Sequence, residues 1–110
     1  MGMKFFLVDL PNLIIPSTNN SNAISLFEDA YGVSLQAPAT LTACQVTVQV
    51  AVSSGASATF ATLQSGGADV LLFAGKGLIM TPLPYRQFRI NSTATEAGSR
   101  TFQAAKVIPV

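Results

Sequence analysis

Chemistry that moves protons or holds ions needs charged side chains in company, and this 110-residue chain has few: six lysines and arginines against five carboxylates. The carboxylates are Asp9, Glu28, Asp29, Asp69 and Glu96. Only Glu28 and Asp29 are neighbours. On a strand they would point to opposite faces, whereas in a turn both could reach one weakly held cation; a solvated turn is the simpler reading. No D-x-[DN]-x-[DN]-G loop supplies the oxygens that calcium needs, so no metal site is assigned. A glycosidase needs two carboxylates facing each other at a set separation, which no spacing here specifies. Histidine is absent. A Ser-His-Asp or Cys-His catalytic set, a histidine-containing zinc site and an imidazole pH switch therefore cannot be built within the chain. No catalytic residue and no cofactor is assigned, and an enzyme is the least favoured class.

Gly75-Lys76-Gly77 invites a phosphate-loop reading, but the upstream glycine is missing and Gly77 stands where a magnesium-binding Ser or Thr is required. A hairpin turn accounts for it. Arg86 and Arg89 flank Phe88, and guanidinium groups can grip a partner's carboxylates in two-pronged geometry. Alternation puts Arg86, Phe88 and Ile90 on one face and Tyr85, Gln87 and Arg89 on the other. Either this is a solvated polar face or Tyr85, Arg86 and Arg89 form part of a partner contact, where such residues concentrate binding energy. Tyr31 and Tyr85 could stack on a sugar, though a chain without tryptophan makes a poor carbohydrate platform. The single cysteine, Cys44, cannot close an internal disulfide and is expected to be buried, inert filler.

The elements that must position these groups are strands. Valines alternate with polar or small residues in Gln45-Val46-Thr47-Val48-Gln49-Val50-Ala51-Val52, the pattern of a strand with one buried face. Turn residues 53–57 lead to a second strand at 58–64. Gly66-Gly67 permits positive backbone angles before an extended run at 69–73, and Leu78-Ile79-Met80 follows the Gly-Lys-Gly turn. Pro82 and Pro84 interrupt pairing, after which residues 85–90 alternate again. A small-polar loop at 91–99 precedes a last strand at 100–108. Turn signals at such short intervals point to an antiparallel sandwich or jelly roll. Residues 23–36 admit either two strands around the 28–32 turn or one helix capped by Ser21 or Asn22 and ended by Gly32. Strands agree better with everything that follows.

Phe5, Phe6, Leu7 and Val8, after Lys4, resemble the start of a secretory signal, but Asp9 and Pro11 break the apolar stretch. Residues 1–22 are expected to form an arm and a flexible polar link, with the sandwich at 23–110. The arm could add a strand to a neighbouring subunit through Phe5, Phe6, Leu7, Val8, Leu13, Ile14 and Ile15, or it could be an edge strand of its own domain.

The run Ala37-Pro38-Ala39-Thr40-Leu41-Thr42-Ala43 leading into Val46-Thr47-Val48-Gln49-Val50, with Tyr85-Arg86-Gln87-Phe88-Arg89-Ile90 and the terminal Arg100-Thr101-Phe102, resembles small tailed-bacteriophage virion proteins with a discoidin-like jelly roll. The resemblance spans about residues 24–108. It implies that the first run feeds a core strand, that the arginine-aromatic-arginine run forms another, and that the last strand closes an all-β sandwich. That group commonly carries a tryptophan near the first run and an aromatic in the next hairpin; here the tryptophan is missing and Phe60 alone could fill the second place.

Composition bears on partners. Apolar residues make up 49% of the chain and charged ones only 10%, far below the roughly 25% charged of ordinary soluble domains. Apolar surface left over from one small core usually meets other chains. A net charge of +1 without a basic stripe disfavours nucleic acid, and no apolar run is long enough to span a membrane. With the resemblance, this leads to a non-enzymatic virion subunit: a capsid decoration or cement protein on the outer surface of the phage head. Its expected partners are the major capsid protein or other virion subunits and copies of itself, as a trimer. The rival expectation is a tail or fibre module whose loops at Tyr31, Gly66-Gly67 or 91–99 bind host-surface glycans, or a tail or neck component.

Overall fold

The computed structural model describes residues 5–26, 31–42, 44–53, 55 and 57–109. Every regular element among them is a strand, and all pairings are antiparallel. The N-terminal runs are β1 (Phe5–Asp9) and β2 (Leu13–Ile15), followed by β3 (Ile24–Ser25) and β4 (Gly32–Gln36). The alternating valine run is β5 (Gln45–Ala51). Four short strands come next: β6 (Ala61–Thr62), β7 (Gln64–Ser65), β8 (Ala68–Asp69) and β9 (Leu71–Phe73). The last three are β10 (Gly77–Met80), β11 (Gln87–Ser92) and β12 (Arg100–Pro109).

One sheet is ordered β1-β12-β4-β10, with β2 also on β12; the other is ordered β3-β11-β5-β6, with β9 also on β5. β7 and β8 form a separate ribbon whose two-residue turn has positive φ at Gly66 (63°) and Gly67 (83°), values that glycine adopts at no steric cost. The core lies between the sheets. Val46, Val48 and Val50 point inward from β5 beside Phe88 and Ile90 of β11, and meet Val33, Leu35, Met80, Phe102 and Ala104 from the facing sheet. Side-chain alternation dictates this: register pairs Val48 with Ile90 and Val50 with Phe88, so both strands turn the same apolar set inward. The expected antiparallel sandwich is therefore the architecture found. Strands also replace the helical alternative across the described parts of 23–36, while the Glu28-Asp29 turn lies outside the described residues.

Four expectations are corrected. Residues 5–22 are not an arm projecting from the body, because β1 and β2 both pair with β12 of the same chain and Leu13 and Ile15 are completely buried in the core. Residues 16–22 are not a loose link either. The Ser21 amide donates to the Ile90 carbonyl while the Ile90 amide donates to Ser21 Oγ, and the backbone of Ser92 and Glu96 donates to Asn19 and Thr18. Polar side chains that look like a linker here satisfy the backbone as the chain crosses from one sheet to the other. Gly75-Lys76-Gly77 is no hairpin turn: it joins β9 in one sheet to β10 in the other, held by Gly75 N–H to the Pro38 carbonyl and Ala37 N–H to the Lys76 carbonyl. Cys44 is exposed, at a positive φ of 63°, rather than buried. Its backbone makes the turn, accepting from Ala74 and donating to Leu41, and this leaves the side chain outside.

Candidate functional site

The two sheets present unlike outer faces. Over the β11-β5 face lie Ser53, Gly55 and Phe60: Gln87 Nε2 donates to the carbonyls of Ser53 and Gly55, and the Arg89 guanidinium stacks 4.2 Å from the centre of the Phe60 ring. Arg89 Nε also donates to Gln49 Oε1 at 2.7 Å, its direct cross-strand neighbour. Arg89 is thus held in place within its own chain through Nε and the face of its guanidinium. Tyr85 is half-buried against the core, and Arg86 alone of the three is exposed. Arg86 precedes β11, so strict strand alternation does not govern it.

The corresponding face of the other sheet is open among the described residues. An open cleft of about 570 Å³ lies there, lined by Leu7 and Asp9 of β1, Gln103 of β12, Ser34 and Gln36 of β4, Lys76, and Ile79 of β10. Gln103 and Gln36 are register partners, as are Ile79 and Ser34, so all project from the same side. Asp9, Ser34, Gln36, Lys76 and Gln103 form no side-chain hydrogen bond or ion pair with any described residue. On the other sheet, by contrast, polar side chains pair with one another: Thr47 with Asn91 and Arg89 with Gln49. At either end of the cleft stand Leu7 and Ile79, 59% and 68% exposed.

Beside the cleft runs the free edge of the sheet, and its two halves differ. Along β2, the Asn22 carboxamide stands in for a missing strand: its Oδ1 accepts from the Ile14 amide at 2.7 Å and its Nδ2 donates to the Asn12 carbonyl. Along β1, no described residue pairs with the outer side. Pro11, which has no amide proton, and Asn12 separate the halves, and the register shifts by one residue between them. Of the residues expected to meet a partner, Phe6, Leu7 and Ile14 are exposed and Val8 is half-buried. Phe5 is placed only by its backbone pairing with Pro109. Leu13 and Ile15 are core residues and cannot take that role. The structure keeps the β1 group on one sheet and the Tyr85-Arg86-Arg89 group on the other.

One polar centre escapes any reading of the sequence alone. Glu96 is buried in the loop 91–99, its carboxylate accepting from Ser92 Oγ at 2.6 Å, the Thr42 amide at 2.8 Å and Arg100 Nε at 2.9 Å. Burial pushes the Glu96 carboxyl up, but the Ser92 hydroxyl, the Thr42 amide and the Arg100 charge outweigh it and hold the group at about 2. The Thr42 hydroxyl accepts in turn from the Ala97 amide. This centre ties the loop after β11 to Thr42 and to the start of β12, so that loop is structural at its base. The only hint in the sequence is the Glu96-Arg100 spacing. Asp69 is engaged by Gln64 Nε2. Among the described residues, no three acidic or thiol side chains come together in a way that could hold a metal. No described helix is long and apolar enough to cross a membrane. No protein family, curated protein or solved structure matches this chain.

Proposed function

We propose that this chain is a non-enzymatic structural subunit of a bacteriophage particle, a decoration or cement protein that stabilises the head by repeated protein–protein contacts on its outer surface. The observation that carries the reading is the exposed apolar edge. Phe6, Leu7 and Ile14 are exposed along one edge of a sheet in a chain with only 10% charged residues. Edges of this kind are normally blunted by lysine, proline or a covering loop unless another chain covers them. Low charge supports the same reading, because burying such a face desolvates few ions. The virion context comes from the resemblance of residues 24–108 to small phage structural proteins with a jelly roll. The sandwich supplies a rigid block, and symmetric repetition on a lattice turns weak contacts into stable coverage.

Purified particles provide the test. Mass spectrometry should find this chain in stoichiometric copies, and a reconstruction should place it symmetrically over the shell. Its absence from intact particles would overturn the reading. The outer-face cleft favours a second reading, a tail or fibre module binding host-surface glycans, because unpaired amide, hydroxyl, carboxylate and ammonium groups there match the hydroxyls of a sugar. Saturable heat of binding with a surface oligosaccharide, lost on Gln36→Ala, would favour that alternative.

A further inference from the structure

The outer side of β1 has a defined hydrogen-bonding phase. The Leu10 amide donates to the Ala104 carbonyl at 3.0 Å, and Leu10 continues the register in which Val8 faces Lys106 and Phe6 faces Ile108. In an antiparallel ladder, residues that exchange hydrogen bonds alternate with residues that do not. Phe6, Val8 and Leu10 therefore direct their backbone groups toward β12. Phe5, Leu7 and Asp9 direct theirs outward, where no described residue meets them. Pro109 stands opposite Phe5, a position at which a missing amide proton costs nothing.

We infer that this free half-edge pairs with β1 of a second copy of the same chain, antiparallel about a two-fold axis through Leu7. The inference rests on the assembly reading above and names the contact. Three features of the strand select a second copy as its occupant. The outward residues 5, 7 and 9 are symmetric about Leu7, so a copy turned end for end presents its own outward groups in phase: Leu7 to Leu7, and Phe5 to Asp9 in both directions. Phe6 then lies across from Val8, an apolar pair on one face, while the two Leu7 side chains meet on the cleft face. Asp9 is the sole charge in the strand and sits at its end. Two copies therefore hold their carboxylates about 14 Å apart along the strand, beyond the roughly 8 Å screening length of physiological salt. The Asn22 cap on β2 limits the pairing to these five residues. Such a contact falls short of the roughly 1,200 Å² of standard interfaces, so the pair is weak and concentration-dependent in solution and gains strength only by repetition. It also joins two four-stranded paths into one continuous sheet, with the two clefts side by side on its outer face.

Sedimentation equilibrium on the full chain tests this, with amide exchange as a second readout. The wild type should dimerise reversibly, and the Leu7 and Asp9 amides should gain protection as concentration rises while Phe6 and Val8 stay protected throughout. Leu7→Pro removes an amide proton that the chain's own ladder does not use. Two hydrogen bonds across the axis are lost, which should weaken the dimer about thirtyfold. Leu7→Lys opposes two like charges at the axis and should act the same way, so a failure of the proline variant to fold leaves the test intact. A wild type that stays monomeric overturns the inference, as does a dimer indifferent to both substitutions or concentration-dependent protection at Val8 instead of Leu7. Particle occupancy separates this from the broader reading: if Leu7→Lys coats particles as the wild type does, the edge contact falls and the virion assignment stands.

Discussion

Replacing Glu96 by glutamine removes one charge and almost no volume from a centre where three donors converge on a buried carboxylate. The glutamine carbonyl can still accept from Thr42 and Arg100, and its amide can donate to Ser92 Oγ, so the change isolates the ionic part. In the folded chain the carboxyl is lowered from 4.5 to about 2. Each factor of ten in proton affinity is about 1.4 kcal/mol, so the fold favours the ionised form by about 3 kcal/mol. Because the folded value is depressed, this stability is fully present above pH 4.5, declines as pH falls, and is gone once pH drops below about 2. Urea melts followed by far-ultraviolet circular dichroism at steps from pH 7 to pH 2 measure it directly. The wild type should exceed Glu96→Gln by about 3 kcal/mol at pH 7, with the difference closing between pH 4.5 and 2. That is a sizeable part of the roughly 5–15 kcal/mol that holds a domain together, yet it leaves the variant folded at neutral pH. Subtracting the variant removes the contribution of the other carboxylates. A gap below about 1 kcal/mol, or one that does not narrow in acid, would refute the reasoning.

Three further outcomes follow from the packing. Leu13→Ala should cost about 2–5 kcal/mol in the same melts, and deleting residues 1–16 should abolish cooperative unfolding, because Leu13 and Ile15 belong to the core; a truncated chain that melts cooperatively would contradict this. Gly32→Ala should destabilise by about 1–3 kcal/mol, since a methyl group there collides with the Met80 carbonyl and the Thr81 side chain; a neutral effect would mean that the β4-β10 end yields easily. Arg89→Ala should lower stability by about 1–2 kcal/mol through loss of the Gln49 hydrogen bond and the Phe60 contact, and in a Phe60→Ala background the same change should cost less by the stacking share alone; additive effects would show that the stacking carries no energy.

Much of the architecture is written in local pattern. The alternation from Gln45 to Ala51 names its own buried face, and Val46, Val48 and Val50 are on it. The same holds for Phe88 and Ile90. The Gly66-Gly67 pair announces a tight turn because glycine takes positive φ values at no steric cost. Signals of this kind depend on neighbours in sequence, and they survive without knowledge of the fold. The candidate site was less legible. Cys44 and Gly75-Lys76-Gly77 read wrongly because exposure at a turn, and which sheet the next strand joins, are set by the rest of the molecule. Phe6, Leu7 and Ile14 reach the surface while Leu13 and Ile15 do not, although all five are equally apolar as letters.

By itself, the chain's composition and periodicity determined an antiparallel sandwich, the inward faces of its central strands and the absence of histidine-based chemistry, because these follow from residue type and a two-residue repeat. Only tertiary structure decided that the first strands belong to their own sheet, that Asn22 caps one half of the edge and leaves the other open, and that Glu96 is buried beside Arg100, Thr42 and Ser92. The first depends on strands some ninety residues apart in sequence and the last on Thr42, 54 residues from Glu96, while the Asn22 cap closes over only 8 to 10 residues; an edge hydrogen bond or a buried carboxylate leaves no periodic trace in the sequence that makes it.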